Sequence, residues 1–290
     1  MAITTTPVVA PFARAGTRAG RGVATMFATV GDWMLFSARV LARSATDIVL
    51  RLKYRQVVLR HISDICAGSG AFLVGGGMVF VVFAMSFFTG ATVGLQGYQG
   101  LARIGAESFT GLVGSFANVR EVTPLIAGVA LAAQVGAGFT AELGAMRISD
   151  EIDALEVMSV PSKAYLVATR VVAALLAIIP LYLISLFASF FATRLITTEL
   201  FGLSTGVYDH YFRLYLPIED IVYSVIKVTV FAINIVLIHC WYGYNASGGP
   251  AGVGVAVGRA IRMSIVSTVV INLVLSLLFW GDGGSASLTG

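Results

Sequence analysis

The segment AYLVATRVVAALLAIIPLYLISLFASFFA, residues 164–192, contains one charged side chain, Arg170, among apolar and small residues. Crossing the roughly 30 Å hydrocarbon core of a bilayer takes about 20 apolar residues in a helix, because lipid offers the backbone no hydrogen-bond partners. The segment is long enough to span a membrane and to be tilted or kinked at Pro180. It identifies the chain as an integral membrane protein.

The composition and the other apolar runs agree with this interpretation. Of the 290 residues, 57% are hydrophobic and only 12% are charged, whereas about a quarter of the residues in a soluble domain are charged. Five apolar runs qualify as spans, at about residues 65–95, 121–141, 164–192, 218–241 and 263–280. We therefore predict an all-α integral membrane fold with about five transmembrane helices.

The N-terminal part of the chain is basic and amphipathic. In residues 23–62, apolar residues recur at helical spacing and basic side chains interrupt them, which predicts an interfacial amphipathic helix region. A soluble, partner-binding helix is the alternative. We expect residues 1–22 to form a flexible cytoplasmic tail, residues 63–281 to form the membrane domain, and residues 282–290 to form a short extracytoplasmic tail.

Polar or glycine-rich segments are expected to connect the spans. They are residues 96–119, 193–217 and 242–262. The first span contains more glycine than helix propensity favours, which indicates that another element approaches its backbone closely. The second predicted span carries a stripe of small residues at a spacing of four: Gly128, Ala132 and Gly136. Such a stripe permits close helix crossing.

The distribution of lysine and arginine predicts the orientation, because cytoplasmic segments carry an excess of both. With the N-terminus inside, the cytoplasmic segments contain thirteen of these residues and the segments on the other side contain four. Nine of the thirteen lie in residues 1–64, so the N-terminal region supplies the bias. We expect a cytoplasmic N-terminus and, after five spans, an extracytoplasmic C-terminus.

The stretch AELGAMRISDEIDALEVM, residues 141–158, differs from the apolar spans on either side because it carries five carboxylates. If it is helical, Ile148, Ile152 and Leu155 share one face, while acidic side chains such as Asp150 project from others. An anionic inner leaflet would repel this helix, so a protein surface is its expected partner. A solvated linker is the alternative.

Other function classes are disfavoured by the residues present. Neither the two cysteines nor the three histidines have the spacing of a metal site, and no phosphate-binding loop ending in lysine occurs, so we expect no metal or other cofactor on this chain. The basic residues form no compact basic domain, which disfavours nucleic acid as a partner. A lipid-modifying enzyme would need a clustered nucleophile or metal set. The chain is therefore predicted to be non-catalytic.

Two segments resemble a known family. Residues 120–158, REVTPLIAGVALAAQVGAGFTAELGAMRISDEIDALEVM, closely resemble the signature of the MlaE/YrbE permeases, which are transmembrane subunits of ATP-driven lipid transporters that work with MCE-domain proteins. Residues 239–262, HCWYGYNASGGPAGVGVAVGRAIR, resemble in particular the actinobacterial YrbE members of Mce transporters. The resemblance covers about residues 60–280. It implies that residues 63–281 form a permease domain in the inner (plasma) membrane.

The resemblance also implies cargo and partners. The cargo would be a hydrophobic lipid: a fatty acid, a mycolate-like lipid, a sterol or a phospholipid. The acidic stretch would be the coupling helix, docked on a cytoplasmic P-loop ATPase that binds the ATP and magnesium. A second YrbE-type chain would complete a heterodimer, and MCE-domain proteins would bind the substrate.

Candidate site residues follow from the same resemblance. The expected contacts with the ATPase are charged side chains and two apolar anchors of the acidic stretch: Glu142, Arg147, Asp150, Glu151, Asp153 and Glu156, with Ile152 and Leu155 as the anchors. Arg120 and Glu121, which open the second predicted span at its outer mouth, are assigned a lipid-gating role as a charge pair that presents a cation to an anionic head group. An ordinary interfacial ion pair is the alternative.

Three residues within the predicted spans leave questions open. Arg170 and Lys227 are expected either to snorkel to the membrane surface or to line a wet cavity. Gln134 stands where many members of the family have a basic residue, which puts a fixed charge at that level in doubt.

The main competing function is an ion-coupled secondary transporter of a lipophilic substrate. Such proteins bury carboxylates midway along their spans, whereas all fifteen acids here lie near segment ends or in connecting segments.

Overall fold

The computed structural model describes residues 31–50, 54–68 and 77–281, and within these ranges it contains helices and short connections but no strand. The predicted tails at 1–22 and 282–290 lie outside the described residues, as does part of the predicted interfacial region and of the glycine-rich first span.

The described helices follow one another with short connections. They are α1 (31–50), α2 (Arg55–Ala67), α3 (Gly77–Ala102), α4 (Glu107–Ile148), α5 (Glu151–Val157), α6 (Lys163–Leu200), α7 (Thr205–Leu214), α8 (Ile218–Tyr244) and α9 (Gly249–Trp280). Five of them, α3, α4, α6, α8 and α9, are long and apolar enough to cross a membrane. The prediction of an all-α integral membrane fold with about five spans is confirmed.

Contacts between distant residues fix the direction of each span. Ser162, at the start of α6, is hydrogen-bonded to Tyr244, which ends α8, and the indole of Trp280, which ends α9, donates to Asp220 at the start of α8. The bundle therefore has two ends. We call the end that carries α5 the α5 end and the opposite one, which carries α7, the α7 end. The start of α6 and the end of α8 lie at the α5 end, and Trp280 lies at the α7 end.

The glycines of α3 allow a close crossing with α6, as the sequence predicted. A Cβ atom at Gly90 would collide with the backbone oxygen of Ser189, and one at Gly94 would lie 2.9 Å from the backbone oxygen of Thr193. Thr193 also donates a hydrogen bond of 2.8 Å to the carbonyl of Gly90. The residue numbers of the contacting pairs increase in the same direction along both helices, so α3 and α6 run parallel. They are in contact through small residues rather than large apolar ones.

The stripe on α4 also serves helix packing. Gly128 faces Phe231 of α8 and Thr268 of α9, and Gly136 faces the ring of His239, at 2.5 Å from a Cβ placed on the glycine. A Cβ atom at Gly136 would push the ring of His239 and hence α8 away from α4, whereas one at Gly128 would lie at van der Waals distance, 3.4 Å from Phe231 and Thr268.

All three predicted connections are largely helical, and segment 193–217 consists mainly of the end of α6 and of α7. Most of segment 96–119 completes α3 and begins α4, so that only residues 103–106 connect them, with Gly105 at φ 68°. The glycine-rich segment 242–262 is helical from Gly249, where Gly248 and Gly249 have positive φ and Pro250 occupies the first turn. Proline favours the first turn of a helix and glycine permits the turn before it, so a local signal for this boundary was present in the sequence.

The described part of the predicted interfacial region consists of two helices rather than one. The chain turns at Tyr54, which has φ 64° and precedes α2. Val58 and Ile65 of α2 are buried, whereas Arg55 and Arg60 are exposed. This division gives α2 the amphipathic character expected of a helix that lies along a membrane boundary.

Candidate functional site

The short helix α5 is held outside the bundle between the ends of α4 and α6. Asp150, at φ 58°, precedes it and Ser159, at φ 61°, follows it, so the chain turns sharply on both sides. Asp tolerates this left-handed conformation better than most residues. The two turns present α5 as a separate element at the α5 end of the bundle.

The apolar anchors of α5 point toward its own chain, which corrects the prediction that they contact a partner. Ile152 is fully buried and Leu155 packs against the core. A helix of two turns has one apolar face, and here that face attaches α5 to the bundle. The large apolar side chains that remain exposed here are Val157, at 86%, and Met158, which follows the helix, at 64%.

The charged side chains of the acidic stretch divide into two groups. Arg147 and Asp153 pair at 2.6 Å, and both are well exposed. Asp150 and Glu151 are exposed beside them. Glu156 instead accepts hydrogen bonds from Ser162 and Tyr244, at 2.6 and 3.1 Å, and these donors lower the pKa of Glu156. Glu156 therefore fastens α5 to the starts and ends of the neighbouring spans.

Glu142 lies on α4, six residues before the end of that helix, and pairs with Arg170 at 2.9 Å. The guanidinium of Arg170 is almost fully buried, donates to the carbonyl of Leu166 and lies over the ring of Phe139. Arg170 thus points into the protein and does not snorkel. Its partner Glu142 keeps 59% of its side chain exposed.

A second group of charges lies at the α7 end. Arg120 does not pair with Glu121, its neighbour in sequence; its Nε donates to Asp220 at 2.8 Å, and Asp220 also accepts from Trp280 at 2.8 Å. The guanidinium lies 3.7 Å above the centre of the Phe116 ring. Arg120 is therefore held from several sides by an ion pair and an aromatic face.

Glu121 pairs with a fully buried lysine. The Nζ atom of Lys227 donates to Glu121 Oε1 at 3.2 Å, to the carbonyl of Arg120 at 2.6 Å and to Ser276 at 2.7 Å. Asn272 donates to the other carboxylate oxygen of Glu121 at 2.7 Å. Lys227 has no exposed surface, whereas Glu121 is 43% exposed. The carboxylate is thus the accessible member of the pair, and the lysine does not snorkel.

The backbone that carries these residues departs from regular α-helix. Residues Asn118–Val122 form a π-helical turn within α4, and the side-chain amide of Asn118 donates to Gly114 O and to Thr193 Oγ1. Such turns are rare, and they occur frequently at functional sites. Glu121 lies fourteen residues after the start of α4 at Glu107, about 20 Å along the helix. Glu121 therefore does not lie at the start of α4. Arg120 is nevertheless level with the start of α8 and the end of α9.

Several members of the α7-end group were not identified from the sequence. They are Asp220, Asn272, Ser276 and Trp280. Asp220 lies in the first turn of α8 and Trp280 ends α9, positions at which an acid and an interfacial aromatic residue are common for local reasons. Within the described residues, no group of three or more His, Cys, Asp or Glu side chains is placed to hold a metal ion. Gln134 is exposed on α4, in a second π-helical turn.

Comparison with known proteins identifies the family of the chain. The family model described as Permease MlaE matches residues 69–278. A probable ABC transporter permease protein of Rickettsia prowazekii is 30% identical over 252 residues, which cover 87% of this chain and 92% of the relative. The chloroplastic protein Trigalactosyldiacylglycerol 1 of Arabidopsis thaliana is 30% identical over 243 residues, or 83% of this chain and 68% of that protein. These matches confirm the resemblance carried by residues 120–158, and the chain belongs to the MlaE permease family.

Proposed function

We propose that the chain is the transmembrane permease subunit of an ATP-driven lipid transporter and that a separate P-loop ATPase supplies the energy. The observation that carries the proposal is α5: a short acidic helix held outside the bundle by Ile152 and Glu156, with Val157 and Met158 exposed. Membership of a family whose relatives are named as ABC transporter permeases supports it.

The geometry of α5 suits the transmission of force. Its inner face is buried against the bundle, and Glu156 links it to Ser162 of α6 and Tyr244 of α8. A partner that moves α5 would therefore move the ends of two spans. For the ATPase contact we assign Val157 and Met158 as apolar anchors in place of Ile152 and Leu155, and Asp150 and the neighbouring acids as determinants of partner choice.

Two observations support a lipid cargo. The Arabidopsis relative is named after a glycolipid, trigalactosyldiacylglycerol. The accessible carboxylate of Glu121, which contacts Lys227 and Asn272 within the spans, and Arg120, which is level with the start of α8 and the end of α9, place charges in an otherwise apolar bundle. Charged residues at such positions are expensive, and they commonly mark a substrate pathway. We therefore retain the lipid-gating assignment for these two residues, with Lys227 and Asp220 as their buried partners.

The wider assembly belongs to the same proposal. The span α9 exposes a row of apolar side chains that includes Val266, Val270, Leu273 and Leu277, available to lipid or to a second permease chain. A pair of such chains would enclose more volume than five spans alone. The likeness of residues 239–262 to YrbE proteins of Mce systems supports a heterodimer that works with MCE-domain proteins in the plasma membrane, with a cytoplasmic N-terminus.

The test is reconstitution of the purified assembly in vesicles that contain a fluorescent phospholipid. We expect lipid movement that requires ATP and is abolished when the ATPase is omitted, and Glu121→Gln should change its rate without loss of assembly. Movement driven by an ion gradient in the absence of ATP would contradict the proposal and favour a secondary transporter. An unchanged rate in Glu121→Gln would return this residue to a structural role.

A further inference from the structure

A cleft of about 630 Å³ opens at the α5 end, between α2 and the ends of α4 and α6. Its volume lies within the range of about 300–1,000 Å³ that is usual for small-molecule sites. Met146, which lines it, lies two residues before the end of α4, and Tyr165, on the opposite side, lies two residues after the start of α6. The cleft is therefore level with the ends of the spans, where lipid head groups lie.

The walls of the cleft carry two positive and two negative charges. Arg60 and Asp64 lie four residues apart on α2, hence on one face of the helix, and both are exposed. Neither forms an ion pair with another described residue. Across the cleft, Glu142 uses Oε2 for Arg170, and its Oε1 has no hydrogen-bond partner among the described residues. The accessible groups are thus one guanidinium and two carboxylates, and the buried Arg170 offsets one of the latter.

The remaining lining favours a polar head joined to an apolar body. His61 is neutral near pH 7, because burial and then the charge of Arg170 lower its pKa to about 4. Val57, Met146 and Leu166 supply apolar surface. The ring of Phe139 is already in contact with Arg170 and with His61, so it is not free to receive a quaternary ammonium on its face. Carboxylates are acceptors, and they suit a cation that carries N–H donors.

We propose that this cleft binds the head group of a zwitterionic phospholipid with a primary ammonium. Asp64 and Glu142 receive the ammonium, Arg60 receives the phosphate, and the apolar lining receives the glycerol and the first acyl carbons. This role goes beyond the proposed function. It concerns a lipid bound to the resting protein at α2, remote from Glu121, and it does not depend on the ATPase or on transport.

The test uses the full chain, delipidated in detergent and reconstituted in phosphatidylcholine nanodiscs that contain equal minor amounts of phosphatidylethanolamine and phosphatidylglycerol. Native mass spectrometry then identifies the lipid that stays bound. We expect retention of phosphatidylethanolamine, reduced at least about fivefold by Arg60→Gln and by Asp64→Asn. The matched control is Arg55→Gln, since Arg55 is an exposed arginine on the same helix outside the cleft. Circular dichroism checks that all variants fold.

Three outcomes would overturn the proposal. Equal retention of phosphatidylglycerol would show a general anion site, and an equal loss in Arg55→Gln and Arg60→Gln would show nonspecific attraction to basic side chains. In a separate arm, soluble phosphoethanolamine competes with the lipid at equal concentration. Equal occupancy by the soluble compound would show that the acyl chains add nothing to binding and that a soluble ligand, not a membrane lipid, is the occupant.

Discussion

At the scale of single residues, the Lys227–Glu121 pair is asymmetric. Glu121→Leu leaves the buried ammonium of Lys227 with neutral acceptors at Arg120 and Ser276, and removing one partner of a buried pair costs about 3–5 kcal/mol. Lys227→Met leaves a carboxylate that is 43% exposed and still accepts from Asn272. We expect a larger fall in the thermal unfolding temperature for Glu121→Leu than for Lys227→Met, and partial recovery in the double variant. Equal falls would show that burial does not govern the pair.

The neutral state of His61 leads to a second prediction, which concerns how the unfolding temperature depends on pH. Burial and then Arg170 lower the pKa of this histidine to about 4, whereas an unfolded histidine titrates near 6.5. The unfolded chain therefore binds more protons between these values, so the stabilising contribution is complete above about pH 6.5 and is lost as the pH falls toward 4. We expect the unfolding temperature to fall between pH 7 and 5, and His61→Gln to reduce that fall.

The control for this pH dependence is His210→Gln, because His210 is exposed on α7 at the opposite end of the bundle. A slope that is identical in the wild type and in His61→Gln would contradict the account of the cleft given above.

At the scale of elements, the parallel crossing of α3 and α6 depends on Gly90. A Cβ atom there meets the backbone of Ser189, so Gly90→Ala forces the two spans apart and should cost about 1–3 kcal/mol. Gly100→Ala on the same helix has nothing within 4 Å of the new atom and should be neutral or slightly stabilising. Unfolding temperatures of the two variants in nanodiscs test this. Equal stability of both variants would mean that the crossing tolerates separation.

The elements were largely predictable because their signals are local. Apolar runs identified the five spans, and the acidic stretch was predicted to contain an amphipathic helix, which the structure places at Glu151–Val157. The direction of its apolar face was not predictable, because Ile152 and Leu155 suit a partner surface or the bundle equally well. The pairing of Arg120 with Asp220 and of Glu121 with Lys227 was also hidden, since these partners are about 100 residues apart in sequence and meet only through the packing of α4 on α8.

At the scale of the whole molecule, α5 and α7 lie on opposite sides of the five spans. Met158 and Leu214 are comparably exposed at these two ends and serve as single-cysteine positions once Cys66 and Cys240 are replaced by alanine. With a cytoplasmic N-terminus, in cells that lack the ATPase proposed to cover Met158, we expect an impermeant maleimide to label Leu214→Cys in intact cells, and Met158→Cys only after permeabilisation. The reverse pattern would invert the orientation, and labelling of both from outside would contradict the topology.

The most direct test of the central claim is to extract the tagged full chain from native membranes in mild detergent and measure the amount of P-loop ATPase that accompanies it. We predict a constant ratio of ATPase to permease, lost in Val157→Ser/Met158→Ser and retained in Val222→Ser/Leu214→Ser, which alters exposed apolar side chains at the α7 end. Repeated isolation of the wild-type chain without an ATPase, or loss of the ATPase in both double variants alike, would contradict the account.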